Sequence, residues 1–351
     1  MRQIKIPLEI RKKHLKYFKI EAPKNYDKLI YFSFLNEHIN ANYQSSNPAV
    51  LNLIRTCGTD VFKYLIDFLY KHFNNIVNGS PKYIYAIEEE FYNELYSKYA
   101  ITEETRPLID EILKLIFDYD SFVKTKNKFW SPIILTKELA INICPYCNNH
   151  FTFTQLYNSK TRKFQIRPDL DHFFTQHSHP MLSISLYNLV PSCSICNSKL
   201  KHMRDSSLEK GVHPFIEDAN SIFYFRRKIT SSKYSSSKKD IDLYSTIMGL
   251  DTNYNFEIVP INSIHNEKVL EFEKMYQLTK RYEPYKDIIN QSIKRTLLYS
   301  HNYLKSLDSA YTFFDFAKYT GSNLENIDEN ILSKVKNDIL VKEILPKMNP
   351  K

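Results

Sequence analysis

Apolar residues recur at helical spacing through much of the first third of the chain. Phe62, Ile66, Leu69 and Phe73 fall at i, i+4, i+7 and i+11, and Leu108, Ile112, Leu115 and Ile116 repeat the period after Pro107. A 3.6-residue period gathers such positions on one face, so the pattern predicts helices from about 26 to 121 with these residues in the core. Pro107 suits a first helical turn, where its missing N–H has no bond to lose. Before this region, IKIP at 4 to 7 reads as strand-like, and Arg11, Lys12, Lys13, Lys16 and Lys19 form a basic stretch that suits a solvated face or a phosphate contact.

The period changes between 141 and about 212. FTFTQLY at 151 to 157 and FQIRPDLDHFF at 164 to 174 read as short strands joined by the turn-prone NSKTRK, and the aromatic end of HPFIEDANSIFYFRRK predicts another. NFEIVPI at 255 to 261 is a further strand. A helical pattern from about 284 to 307 carries Ile289, Ile293, Leu297 and Leu304, and SSKYSSSKK, from Ser231 to Lys239, reads as an exposed loop or linker. No internal repeat is apparent. Three segments follow: a helical region over 1–140, a small mixed region over 141–216, and strand pieces followed by helices over 217–351.

The mixed segment holds four of the five cysteines, as CPYC at 144 to 147 and CSIC at 193 to 196. Neither a signal-peptide pattern at the N-terminus nor an apolar run of membrane-spanning length is present, so a soluble, cytoplasmic protein is expected. Thiols stay reduced in that compartment, and paired C-x2-C hooks there read as metal ligands before disulfides. A dithiol redox centre would need one such hook and a thioredoxin-like βαβ pattern, which is absent. Four thiolates at roughly 2.3 Å close a tetrahedral zinc site with no position for water, so Cys144, Cys147, Cys193 and Cys196 predict structural zinc. Cys57, outside both hooks, reads as a small buried apolar residue.

Composition narrows the class without naming it. Apolar residues make up 43% and aromatics 14% of the 351 residues, enough for a packed core and inconsistent with global disorder. A formal charge of +9 suits a polyanionic partner. Richness in Lys, Asn, Ile and Tyr with only five glycines fits a biased genome equally well, so charge alone does not identify nucleic acid.

Between the hooks lie RPDLDHFF, which places Asp171 beside His172, and YNLVPSC, which contains Asn188; Asn197 follows the last cysteine in CNSKLK. An isolated Asp-His pair is usually surface polarity, and an Asn in a loop usually supports a turn. Their order is more specific. Asp-His on a strand, an Asn in the following loop and an Asn opening a helix, inside a four-cysteine frame, resemble the HNH endonucleases of the ββα-metal fold. The resemblance covers about 141 to 216, where LDHFF, HPMLSISLYNLVPSCSICNSKLK and HPFIEDANSIFYF are similar to bacterial HNH proteins with a four-cysteine zinc site. The flanks resemble HNH proteins of anti-phage defence, including the Septu type that pairs with an ATPase.

The resemblance implies an α+β protein, mainly helical, around a ββα-metal core stapled by zinc. It makes His172 the general base, Asp171 and Asn197 ligands of a catalytic Mg²⁺ or Mn²⁺, and Asn188 the brace of the loop that presents His172. The chemistry agrees: a hard divalent ion prefers oxygen donors, and an imidazole with an ordinary pKa near 6.5 is available as a base around pH 7. The implied activity is metal-dependent hydrolysis of phosphodiesters in nucleic acid, DNA favoured over RNA, with a defence role and an ATPase partner. Lys199, Lys201 and Arg204 would contact the nucleic-acid backbone. A stand-alone homodimer is also compatible with the flanks.

One departure stands out. Where such proteins often carry Pro-Lys after the Asp-His strand, this chain has Thr175 and Gln176 followed by His177, Ser178 and His179. The two histidines either replace the missing phosphate contact or cap the loop. His150 and His202 are not needed by a zinc site already complete with thiolates, and His213 before Pro214 suits a packing or turn role. The rival reading is a non-catalytic zinc module that binds nucleic acid or a protein partner, for which an imidazole beside a carboxylate has no use.

Overall fold

In the computed structural model, residues 3–21, 47–159, 162–230, 243–298 and 330–344 are described, together with positions 28, 306 and 346. The predicted loop over Ser231 to Lys239 and the predicted helical position Leu304 lie outside them.

The protein is mixed α+β and mainly helical. Its first half is a helical layer: α1 (Leu8–Lys16), α2 (Pro48–Cys57), α3 (Thr59–Asn78), α4 (Pro81–Lys98), α5 (Arg106–Ile116), α6 (Tyr119–Lys124) and α7 (Pro132–Leu139). The four stripe residues Phe62, Ile66, Leu69 and Phe73 are all buried on α3. On α5 the buried stripe is Ile109, Ile112, Leu113 and Ile116, with Leu108 and Leu115 at its margins. Prolines open α2, α4, α5 and α7 in the first turn, as expected where no intrahelical bond is lost.

Three two-stranded antiparallel sheets follow. β1 (Gln155–Ser159) pairs with β2 (Arg162–Ile166), β3 (Asp169–His172) with β4 (Leu189–Ser192), and β5 (Phe223–Ile229) with β6 (Tyr254–Pro260). Two expectations are corrected. FQIRPDLDHFF is two strands, broken at Arg167 and Pro168, because proline has no N–H for a ladder and the two halves join different partners. IKIP is not a strand: residues 4 to 7 are irregular, with the Ile4 N–H donating to the Pro214 carbonyl at 2.8 Å.

After β4, a π-wound turn spans Ile195–Lys201. The chain continues through α8 (Leu243–Ile247), α9 (Asn266–Tyr276), α10 (Leu278–Tyr282), α11 (Lys286–Leu298) and α12 (Ser333–Ile339). Ile289 and Ile293 are buried and Leu297 packs against the core, as the period predicts. Among the described residues, the buried apolar side chains from Ile10 to Ile344 other than Ile143 form one continuous cluster that includes the cysteines of both hooks. No described helix is long and apolar enough to cross a membrane.

Candidate functional site

The two cysteine hooks converge. The sulfur atoms of Cys144, Cys147, Cys193 and Cys196 lie within 4.8 Å of one another, all four residues are buried, and none is in a disulfide. Cys147 Sγ and Cys193 Sγ are 3.9 Å apart, against about 3.8 Å for the edge of a tetrahedron with metal–sulfur bonds near 2.3 Å. The donor set fits a metal ion such as zinc. Burial pushes the Cys144 thiol up, while hydrogen bonds from the neighbouring thiols, Cys144 first, hold Cys147 well below the ordinary thiol range.

Local backbone bonds build the first hook. Cys144 N–H donates to the His150 carbonyl at 2.9 Å and Asn148 N–H to the Cys144 carbonyl at 2.8 Å, with Asn148 in the left-handed region at φ 47. Later elements lock it from outside. Asn148 Oδ1 accepts from Lys334 N–H and Ser333 Oγ of α12, and Tyr282 Oη donates to the Cys147 carbonyl at 2.5 Å. Arg281 Nη1 donates to Cys196 Sγ at 3.3 Å, and its Nη2 lies 3.4 Å from His150 Nδ1.

Both hooks also reach Asp171 on β3. Tyr146, from inside CPYC, stacks on Tyr276 with ring centroids 4.8 Å apart and donates its hydroxyl to Asp171 Oδ2 at 2.6 Å. Lys201, at the end of the π-wound turn after CSIC, donates to Asp171 Oδ1 at 3.0 Å and to the His172 carbonyl. Asp171 and Lys201 are 2% and 1% exposed, so the pair is removed from solvent. The placement of Lys201 corrects its expected role: a lysine buried against Asp171 is not on the surface to meet a phosphate backbone, whereas Lys199 and Arg204 are exposed.

His172 is held in one tautomer. Its Nε2 lies 2.8 Å from the Ser183 carbonyl, which can only accept, so Nε2 carries the proton and Nδ1 is left with a lone pair. Burial lowers its pKa to about 4, so the ring is neutral at pH 7. The Tyr119 ring packs against it edge to face at 4.3 Å. Asn188 is fully buried and closes the loop between β3 and β4: Oδ1 accepts from Phe174 N–H at 2.8 Å, and Nδ2 donates to the Phe174 and Leu182 carbonyls, each at 3.0 Å.

A cleft of about 340 Å³ opens over these groups, lined by Asp171, His172, Asn197, Lys114, His177 and His202 among others. Asn197 Nδ2 donates to Asp169 Oδ2 at 3.3 Å, so its oxygen is the end left for a ligand. Lys199, on the turn that carries Asn197, and Arg204, just after it, do not line the cleft. His179 belongs elsewhere. Its Nδ1 lies 2.5 Å from Glu88 Oε2 and its Nε2 3.0 Å from Asp205 Oδ2. Burial opposes its charge, but the hydrogen bonds to Asp205 and Glu88 overcome that and raise its pKa to about 9. The relay ties α4 to the loop beside the cleft, since Asp205 Oδ1 also accepts from Thr175 N–H at 3.1 Å. A separate cavity of about 250 Å³ beside His179 and Asp205 contains none of Asp171, His172 and Asn197. His213 is buried, with Phe215 N–H donating to its Nδ1 at 3.3 Å and its ring 4.1 Å from Phe173.

Sequence reasoning missed Tyr146, Arg281 and the Glu88–His179–Asp205 relay. Tyr146 was in view between the first two cysteines, but its reach to a strand 25 residues later is a tertiary fact. Nothing local marks Arg281 as a neighbour of Cys196.

Over 179 residues, half of this chain, the sequence is 25% identical to the Septu protein PtuB of Bacillus thuringiensis. The match covers 62% of that protein, so the chain spans about three fifths of the length of the curated relative it matches. No protein-family model and no solved structure matches the chain.

Proposed function

We propose that the segment 141–216 is an HNH-type nuclease core that hydrolyses phosphodiester bonds of nucleic acid, DNA favoured over RNA, and that the chain serves anti-phage defence. The observation that carries this reading is the state of His172. A neutral imidazole with one nitrogen pinned to a carbonyl and the other free, in a cleft shared with Asp171 and Asn197 over a strand–strand–helical turn, suits a base that takes a proton. The likeness to a Septu protein supports the defence role, and an ATPase partner is what the resemblance of the flanks implies.

In this reading His172 Nδ1 takes a proton from water as the water oxygen bonds to phosphorus. The P–O3′ bond breaks opposite it, and the leaving oxygen is protonated by solvent. Asn188 is a positioning residue that holds the loop after His172 in register. Lys199 and Arg204, exposed beside the cleft, contact backbone phosphates, and their charge also favours encounter. Cys144, Cys147, Cys193 and Cys196 would hold zinc, which would fix both hooks beside Asp171 and supply no group to bond breaking. A catalytic Mg²⁺ or Mn²⁺ held by Asp171 and Asn197 does not fit the site as it stands, because both Asp171 oxygens are engaged, one by an ammonium.

The test is cleavage of supercoiled plasmid and of total RNA by wild type and His172→Ala, without added divalent ion and with Mg²⁺ or Mn²⁺. Cutting that depends on His172 is the expected result and identifies the nucleic acid. Cutting by a clean His172→Ala preparation at the wild-type rate would overturn it. A wild type inactive on both substrates with and without an ATPase partner would favour the zinc-module reading.

A further inference from the structure

We infer that Lys201 is the resident cation of this site, its ammonium filling the position beside Asp171 and excluding a divalent ion from it. The inference rests on the reading of the cleft as a nuclease site and concerns which charge sits there.

Lys201 Nζ is 3.0 Å from Asp171 Oδ1 and also bonds the His172 carbonyl, while Tyr146 Oη satisfies Asp171 Oδ2 at 2.6 Å. The carboxylate therefore meets one full positive charge and one neutral donor, and the ensemble is closed and buried. A divalent ion binds a carboxylate oxygen at about 2.0–2.1 Å for Mg²⁺. Placed on Asp171 Oδ1 it would stand no more than about 5 Å from the ammonium, three positive charges against one negative in a site away from bulk water. The two cations exclude one another.

Local winding puts the lysine there. Lys201 ends the π-wound stretch Ile195–Lys201, and the next residue, His202, has φ 48. The wider turn rotates Lys201 inward to Asp171 while Lys199, two residues earlier, stays exposed. Removing the ammonium would leave a buried carboxylate without its counter-charge, a strong inducement to take up another cation.

Manganese alone is the probe, read by the loss of free Mn²⁺ signal in electron paramagnetic resonance. Wild type, Lys201→Ala, Asp171→Asn and the double variant are compared, each with four-cysteine metal content measured to confirm the fold. We expect no Asp171-dependent Mn²⁺ site in wild type and one equivalent gained in Lys201→Ala and lost again in the double variant. One equivalent in wild type that disappears in Asp171→Asn would overturn the inference, as would a folded Lys201→Ala that gains no Mn²⁺. If Lys201→Ala does not fold, the Lys201 ammonium resonance of ¹⁵N-labelled wild type decides. Persistence in saturating Mg²⁺ supports the inference, and displacement into solvent exchange overturns it. Cleavage is not the readout, so a protein that cuts neither DNA nor RNA leaves this test intact.

Discussion

Asn188 holds Phe174 by both of its backbone polar groups, accepting from the N–H at 2.8 Å and donating to the carbonyl at 3.0 Å. Only a primary amide can do both while also donating to the Leu182 carbonyl. Asn188→Asp keeps the shape but replaces the two donated bonds with a carboxylate oxygen aimed at two carbonyls. Buried unsatisfied groups and an unpaired charge make a loss of about 2–4 kcal/mol in unfolding free energy the expected result in urea denaturation. A loss below about 1 kcal/mol would mean that the clamp contributes little.

The role proposed for His172 predicts a separation of effects. His172→Ala removes an imidazole that lines the cleft with Asp171 and has its Nε2 committed to the Ser183 carbonyl, so on the proposed role cleavage should fall at least about a hundredfold, the usual scale of general-base catalysis. Zinc content should not change, since His172 does not touch the cysteine cluster. The check is paired: initial rate on the identified substrate and metal per chain by mass spectrometry.

The tautomer and burial of His172 give a pH signature. An imidazole at its ordinary pKa of 6.5 would be about tenfold depleted of base at pH 5.5; one lowered to about 4 stays neutral there. The rate per free enzyme and substrate should therefore change less than about twofold between pH 7.5 and 5.5. Stability moves the other way. His14, His172 and His213 have pKa values of about 4, 4 and 3, each lowered chiefly by burial. Between pH 6.5 and 4 the unfolded chain binds more protons than the folded one, so unfolding free energy falls as pH falls, with a limiting slope of about 1.4 kcal/mol per pH unit for each ring. His179, raised to about 9, contributes stability that is fully present below 6.5 and is lost as pH rises through 9. The prediction is a maximum near pH 6.5, where these limbs meet, in thermal melts. Equal melting temperatures at pH 5 and 7 would contradict it.

Tyr146 and Lys201 link the two hooks to the strand that carries Asp171 and His172. Cys193→Ser should release the metal and loosen residues 141–212 together, because structural metal binding is folding free energy. Hydrogen exchange localises the effect. A full zinc equivalent with native protection in the Cys193→Ser protein would remove the cluster from this role.

What the sequence made legible follows from locality. The α3 stripe is a period, and Phe62, Ile66, Leu69 and Phe73 are buried as read; the two C-x2-C hooks are spacings, and their sulfurs meet. What was not legible depends on partners far along the chain. The break at Pro168 shows only when β2 and β3 are seen to pair with different strands. Three basic residues after Asn197 look alike in sequence, and the π winding alone selects Lys201 for the interior. His177 and His179, two residues apart, part company because Glu88 on α4 and Asp205 draw His179 out of the cleft.

Arg281 yields the last prediction. Four thiolates around a divalent ion carry a net charge of about −2, and Arg281 brings a guanidinium to Cys196 Sγ at 3.3 Å from an element 85 residues away. Cys196 and Cys147 in turn favour the charged guanidinium, although burial opposes it, and the net effect raises its pKa further. A hydrogen bond to a charged group contributes about 1.5–3 kcal/mol, and every 1.4 kcal/mol is tenfold in an equilibrium constant. Arg281→Met keeps the packing volume and removes the charge, so the thiolates are left with less compensation. Metal transfer to a chromophoric chelator should be at least about tenfold faster than in wild type. Arg281→Lys, which restores the charge without the planar fork, should fall between them. If all three proteins release metal at one rate, the guanidinium does not hold the cluster, and the tie of α10 to the hook rests on Tyr282 at the Cys147 carbonyl.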